Sequence, residues 1–212
     1  MENLSPSNSN GGLSLGRFKL RSYFPIILLI VLCAVFGSLS DRFLTASNFS
    51  IVLQQTVTLL VVALGTTFVI IAGSIDLSVG SIVALSALMA ASTSGELGIW
   101  AIIPAALVGT AAGFLNGLIF AKGKVPSFMV TLGTMVAYRG IVLYFTRGAP
   151  VEITNRSFVS LYSGRTEGIP NAAIFAFVIV IIAFIILNYT VFGRQVRAIG
   201  GGERVALLTG IK

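Results

Sequence analysis

The chain contains no histidine and one cysteine, and only 10% of its 212 residues are charged. Each shortage excludes something. Without histidine there is no imidazole metal site and no histidine proton relay. The single cysteine, Cys33, forms no intrachain disulfide and sits in an apolar run as a small packing residue. No G-x-x-x-x-G-K-[ST] phosphate loop occurs, so the chain does not hydrolyse ATP by that route. There is also no dinucleotide fingerprint, nucleophile elbow or cluster of metal ligands. The expectation is a protein that is not an enzyme and that holds no metal and no cofactor of its own. Acidic residues are scarce as well, 7 against 14 basic ones. The net charge of +7 suggests a nucleic-acid partner only at first sight. The basic residues form no single patch; they fall in short segments between apolar runs, which is the pattern of membrane orientation. No nucleic acid is expected among the partners.

Apolar residues are abundant instead, at 56% of the chain. A soluble domain carries about a quarter charged residues, so this composition describes an integral membrane protein. A spanning helix needs about 20 mostly apolar residues. Candidate runs lie at 23–39, 51–72, 79–93, 99–121, 126–146 and 170–191. The third is short enough to be half of a broken helix. With the N-terminus in the cytoplasm, the inner segments hold Arg17, Lys19, Arg21, Lys122, Lys124, Arg194, Arg197, Arg204 and Lys212. The outer segments hold only Arg42, Arg147, Arg156 and Arg165, with Arg139 left within a span. The expected architecture is therefore all-α: a polytopic transmembrane helix bundle of about six spans with both termini cytoplasmic. Residues 1–21, rich in Ser, Asn and Gly, read as a disordered cytoplasmic leader; 22–191 as the membrane region; and 192–212 as a cytoplasmic segment. The basic stretch before the first run also fits a signal peptide, but a second apolar run follows too closely for that reading.

One polar break carries the most information. Residues 72–81 read AGSIDLSVGS, between apolar runs on both sides. Asp76 stands at the junction, and carboxylates in such places are costly and mark a buried contact, a cavity or a pathway. Two readings remain open. Asp76, or Ser78 with Ser81 nearby, caps the helix that follows; or Asp76 binds a solute. The two are compatible. Gln54, Gln55, Thr56 and Thr58 crowd the start of the second span, either as an interfacial helix start or as the outer mouth of a pathway. Ala105, Gly109, Gly113 and Gly117 recur every four residues and form a face without bulk, suited to close helix packing. Asn116 points toward that face, for an interhelical hydrogen bond or a cavity lining. Arg139 either snorkels to the outer surface or pairs within the bundle.

Three blocks then point to a family. They are LGTTFVIIAGSIDLSVGSIVALSA (64–87), NGLIFAKGKVPSFMVTLGTMVAYRGIVLYFTRGAPV (116–151) and GRQVRAIGGGERVALLTGI (193–211). The chain resembles the membrane permeases of bacterial ABC importers for monosaccharides, the ribose/xylose/galactoside permease family. The resemblance covers nearly everything after the leader. Ser74 stands where family members often have Gly, and Gly202 where they have Asn. The family's members also continue past the third block, so the chain looks like an N-terminal portion.

The resemblance implies a permease in the bacterial inner membrane, surrounded by lipid and paired with a second permease copy. An ABC ATPase subunit would bind the ATP and a periplasmic sugar-binding protein would deliver the solute. Gln54, Gln55, Ser74, Asp76 and Asn116 would offer partners to sugar hydroxyls. Arg194, Arg197, Gly200, Gly201, Glu203, Arg204 and Leu207 would dock on the ATPase, with Gly200–Gly202 setting a turn before a short helix. Alternatives from the sequence are a related cargo (nucleosides or autoinducer-2), an ion-coupled secondary transporter, or an inactive fragment.

Overall fold

The structure is a computed structural model describing residues 15–208 and 210–211, with side chains from Tyr23 onward except that of Glu203. The expected disordered leader lies mostly outside the described residues. Where the description begins, the backbone is already helical: α1 runs Leu15–Leu39, so its first turns take in the basic stretch assigned to the leader. Arg and Lys are good helix formers, and nothing in that stretch breaks a helix.

The chain divides into two compact units, Met1–Ser50 and Ile51–Lys212. In the first, α1 ends at a tight corner before α2 (Ala46–Ile71) begins. Phe36 and Phe43 pack with ring centroids 5.7 Å apart, and Asn48 donates from its side chain to the Phe43 carbonyl at 2.8 Å. Both contacts hold the corner shut.

The second unit is a helical bundle. After α2 come residues 72–78 without regular structure, then α3 (Val79–Leu97), a short 3-10 turn, α4 (Ile102–Gly123) and α5 (Ser127–Thr146). An outer segment carries α6 (Arg156–Ser163) and a small hairpin, β1 (Arg165–Thr166) with β2 (Ile169–Pro170). Its tight turn uses Glu167 and Gly168, both at positive φ. The chain ends in α7 (Asn171–Tyr189), α8 (Val191–Gly201) and α9 (Glu203–Leu208).

Four stretches are long and apolar enough to cross a membrane: Ala46–Ile71, Val79–Gly123, Ser127–Thr146 and Asn171–Tyr189. Their apolar side chains are mostly exposed, Phe114, Val136 and Phe177 among them. Such continuous apolar surface is unsustainable in water and normal against lipid. The chain is thus an all-α membrane protein. The apolar part of α1, Tyr23–Leu39, is shorter than these four. The third run is longer than the sequence suggested: α3 has 19 residues, because Thr93–Leu97 stay helical despite their polar character. It is a full-length helix of roughly 28 Å.

Val79–Gly123 folds back on itself at Gly98, whose φ of 55° and ψ of −128° suit glycine alone. The pairings show an antiparallel hairpin. Ser86 lies opposite Gly109 and Ser78 opposite Asn116, each pair nearly equidistant from Gly98. A Cβ on Gly109 would stand 2.8 Å from the Ser86 hydroxyl, so backbone approach depends on glycine there. Gly113 and Gly117, on the same stripe, have open space where a Cβ would be. Close packing therefore uses the Gly109 end of the stripe, and the rest faces a void.

Gly109→Val should lower thermal stability in detergent by about 1–3 kcal/mol through overpacking, while Gly113→Ala should be tolerated. Equal losses for the two would contradict this division of the stripe.

Candidate functional site

The polar break forms the wall of a cavity of about 290 Å³. Phe68, Val69 and Ala72 contribute from the end of α2, Ser74, Ile75 and Asp76 from the break, and Gly113, Asn116, Gly117 and Phe120 from α4. Ser127, Val130 and Thr131 of α5 and Phe192 and Val196 of α8 complete it. The volume is near the lower end of ligand pockets, roughly 300–1,000 Å³. The bare face of Gly113 and Gly117 makes the room: a side chain at either position would project into the void.

Irregular backbone among apolar helices survives only if its polar groups find partners. Here they do. The amides of Ala72, Gly73 and Ser74 donate back to the carbonyls of Phe68, Ile70 and Val69. The Ile75 amide donates to Ser127 Oγ at 3.2 Å, and the Thr131 hydroxyl lies 3.3 Å from the Ile75 carbonyl. Helix α5 thus holds the break in place with two hydroxyls one turn apart.

Asp76 leads a chain of hydrogen bonds into the bundle. Its Oδ1 accepts from the Ser78 amide at 2.8 Å and from the Ser78 hydroxyl at 2.6 Å. Ser78 is fully buried, and its Oγ accepts in turn from Asn116 Nδ2 at 2.8 Å. The buried Tyr138 hydroxyl donates to the Ala112 carbonyl at 3.0 Å, with Asn116 Oδ1 3.3 Å away. Three elements are linked: the break, α4 and α5. The capping expectation needs correction. Ser78 occupies the N-cap position of α3 but makes no side-chain cap bond. Its hydroxyl is already committed to Asp76, and Asp76 bonds the residue two ahead, a local Asx turn rather than a cap.

The second carboxylate oxygen of Asp76 takes no hydrogen bond among the described residues, and no Lys or Arg lines the cavity. The site therefore offers one unneutralised carboxylate, the side chains of Ser74, Asn116, Ser127 and Thr131, and aromatic walls from Phe68, Phe120 and Phe192. Such a set accepts hydroxyl donors and packs against apolar ring faces.

The sequence-predicted residues separate into two groups. Ser74, Asp76 and Asn116 share the cavity. Gln54 and Gln55 do not: they sit near the opposite end of α2, roughly 25 Å away at 1.5 Å per residue. There the Gln54 carbonyl accepts from the Tyr162 hydroxyl of α6 at 2.9 Å. The same region holds a larger void of about 630 Å³ between α2, α3, α6 and α7, but its lining is almost wholly apolar and without charge. Arg139 stands exposed on α5, without a partner carboxylate among the described residues.

The segment expected to dock on an ATPase forms two helices. Gly200 and Gly201 belong to α8, and the break before α9 falls at Gly202, φ 149°. The expected three-glycine turn is thus a single residue. Arg194 and Arg204 are exposed, as is Leu207, and Arg197 donates to Asn188 Oδ1 at 3.2 Å. The side chain of Glu203 lies outside the described residues.

Phe68, Ser127, Thr131, Tyr138 and Phe192 were missed by reading the sequence. A signal existed for three of them: Ser127, Thr131, Thr134 and Tyr138 recur at four, three and four residues, a polar stripe along one face of α5.

The fold and this site define a polytopic membrane protein with a mainly apolar cavity that carries one carboxylate and four uncharged polar side chains. The chain belongs to the family described as branched-chain amino acid transport system permease components, whose pattern matches residues 48–212. It is similar to the ribose import permease protein RbsC of Haemophilus influenzae, 38% identical across 96% of this chain and 65% of that protein. RbsC of Bacillus subtilis is 40% identical across 89% of this chain and 60% of that protein. The D-allose transport system permease AlsC of Escherichia coli is 32% identical across 89% of this chain and 59% of that protein. The chain thus spans about three fifths to two thirds of the length of these relatives. No solved structure matches.

Ser78→Ala should strand the Asn116 amide and one Asp76 bond, costing about 1–3 kcal/mol of thermal stability in detergent. Tyr138→Phe should cost less, about 0.6 kcal/mol, as measured for hydrogen bonds between membrane helices. A larger loss for Tyr138→Phe would place the centre of the network elsewhere.

Proposed function

We propose that this chain is the transmembrane permease subunit of an ATP-binding-cassette importer that moves a monosaccharide into the bacterial cytoplasm. The observation that carries the reading is the 38–40% identity to ribose import permeases along most of the chain. The cavity supports it on chemical grounds. An amino acid carries a carboxylate that calls for a cationic partner, and no Lys or Arg lines the cavity. A neutral sugar presents hydroxyls, which Asp76, Ser74 and Asn116 are suited to meet. A carboxylate flanked by few donors binds such a solute weakly enough for passage.

In this reading the chain contributes six spans, α1 to α5 and α7, with the α3–α4 hairpin counted as two and both termini inside. The cavity then opens toward the side holding Lys122, Lys124, Arg194 and Arg197, the cytoplasmic side by the excess of basic residues. The partners are an ABC ATPase that docks on α8 and α9, a periplasmic binding protein that faces residues 147–169, and a second permease copy. This chain performs no bond chemistry; ATP turnover by the partner switches the bundle between two arrangements. Selection among sugars rests largely with the binding protein.

In vesicles holding the chain with a ribose-type ATPase and binding protein, uptake of labelled D-ribose should require ATP and survive an uncoupler. Leucine should not compete. Uptake that collapses with the uncoupler, or that leucine blocks, would contradict the reading. Asp76→Asn keeps an acceptor for Ser78 yet removes the charge, and should lower uptake roughly tenfold or more at unchanged membrane levels. Unchanged uptake would remove Asp76 from the transport route.

A further inference from the structure

Helix α8 joins α7 to α9 and is fixed at both ends. At its start, Thr190 Oγ1 donates to the Ile186 carbonyl at 2.5 Å and accepts from the Gly193 amide at 3.2 Å. Gly193 is buried, and a Cβ there would collide with the carbonyls of Ile186 and Leu187 at the end of α7. At its far end, a Cβ on Gly200 would collide with the carbonyl of Ile71, the last residue of α2. Two backbones touch there with no side chain between them. The break that carries Ser74 and Asp76 begins at the next residue. Between these two supports, α8 turns Phe192 and Val196 into the cavity, and the Phe192 ring packs against Phe68 with centroids 6.3 Å apart.

Resting on the permease reading above, we infer that Phe192 is a solute-contacting residue. It forms, with Phe68, the aromatic wall of the sugar cavity, and it is supplied by the docking segment rather than by a span. A sugar ring has a polar rim of hydroxyls and an apolar face of C–H groups. The cavity has the complementary arrangement: Asp76, Ser74 and Asn116 meet the rim, and the paired rings take the face by dispersion and by shedding water. Because Gly200 seats α8 directly on α2, the position of this wall follows the position of the docking segment. Movement of α8 by a bound ATPase therefore removes one of the solute's contacts while leaving the polar ones in place, which weakens binding at the moment of release.

The test is the concentration dependence of ATP-driven D-ribose uptake in vesicles containing the chain with its ATPase and binding protein, the binding protein held saturating over the permease. Phe192→Leu preserves apolar bulk and should raise the half-saturating concentration about three- to tenfold, the range of aromatic contact energies. Phe192→Tyr should restore a near wild-type value. Gly200→Ala displaces α8 and should shift the same parameter in the same direction, while Gly140→Ala on α5, which has open space, should not. If Leu serves as well as Tyr, Phe192 is packing only and the inference fails. If Gly200→Ala and Gly140→Ala behave alike, the seating of α8 does not set the wall. If the wild-type vesicles take up no D-ribose, the permease reading falls, and the inference with it.

Discussion

A carboxylate among apolar helices has to be held by donors, and the arrangement of this bundle follows from how Asp76 is held. Its partner is Ser78, which is buried completely and relays the interaction to Asn116 on the neighbouring helix. That relay fixes where α3 meets α4, and the hydroxyls of Ser127 and Thr131 fix where α5 meets the break. Each of these bonds is individually modest in a membrane. Together they satisfy an irregular stretch that lipid would otherwise exclude. One carboxylate oxygen takes no hydrogen bond among the described residues, and Asp76 lines the cavity.

Small residues make that network possible in two different ways along one stripe. At Gly109 the missing side chain lets α3 and α4 close on each other. At Gly113 and Gly117 the same absence leaves a void beside Asn116. A packing contact and an open space thus come from one repeating pattern. The α8 end of the bundle is organised by glycine too, since Gly193 and Gly200 let α8 touch α7 and α2 backbone to backbone.

Much of this was legible in the sequence. The apolar runs gave the helices, because a spanning segment must satisfy its own backbone. Asp76 stood out because its neighbours are so apolar, and Asn116 because it lies near a bare helix face. Ribose-type permeases were recognisable from three blocks, and the relatives support that family. Long-range pairing was not legible. Gln54 and Gln55 share their residue type with the site but lie at the other end of α2, and no local pattern separates a pathway mouth from a helix start. No local pattern singles out Phe192, since its place in the cavity depends on the corner at Thr190. Gly200 read as part of a turn, whereas it packs closely against the end of α2, far away in sequence.

The central claim is a cavity beside Asp76 that opens to the side rich in Lys and Arg. Side-specific labelling tests it most directly. With Cys33→Ser removing the native thiol, a single Ser74→Cys should react with a membrane-impermeant maleimide in inside-out vesicles and stay unlabelled in right-side-out ones. Labelling from the outer side alone, or from neither, would contradict the account.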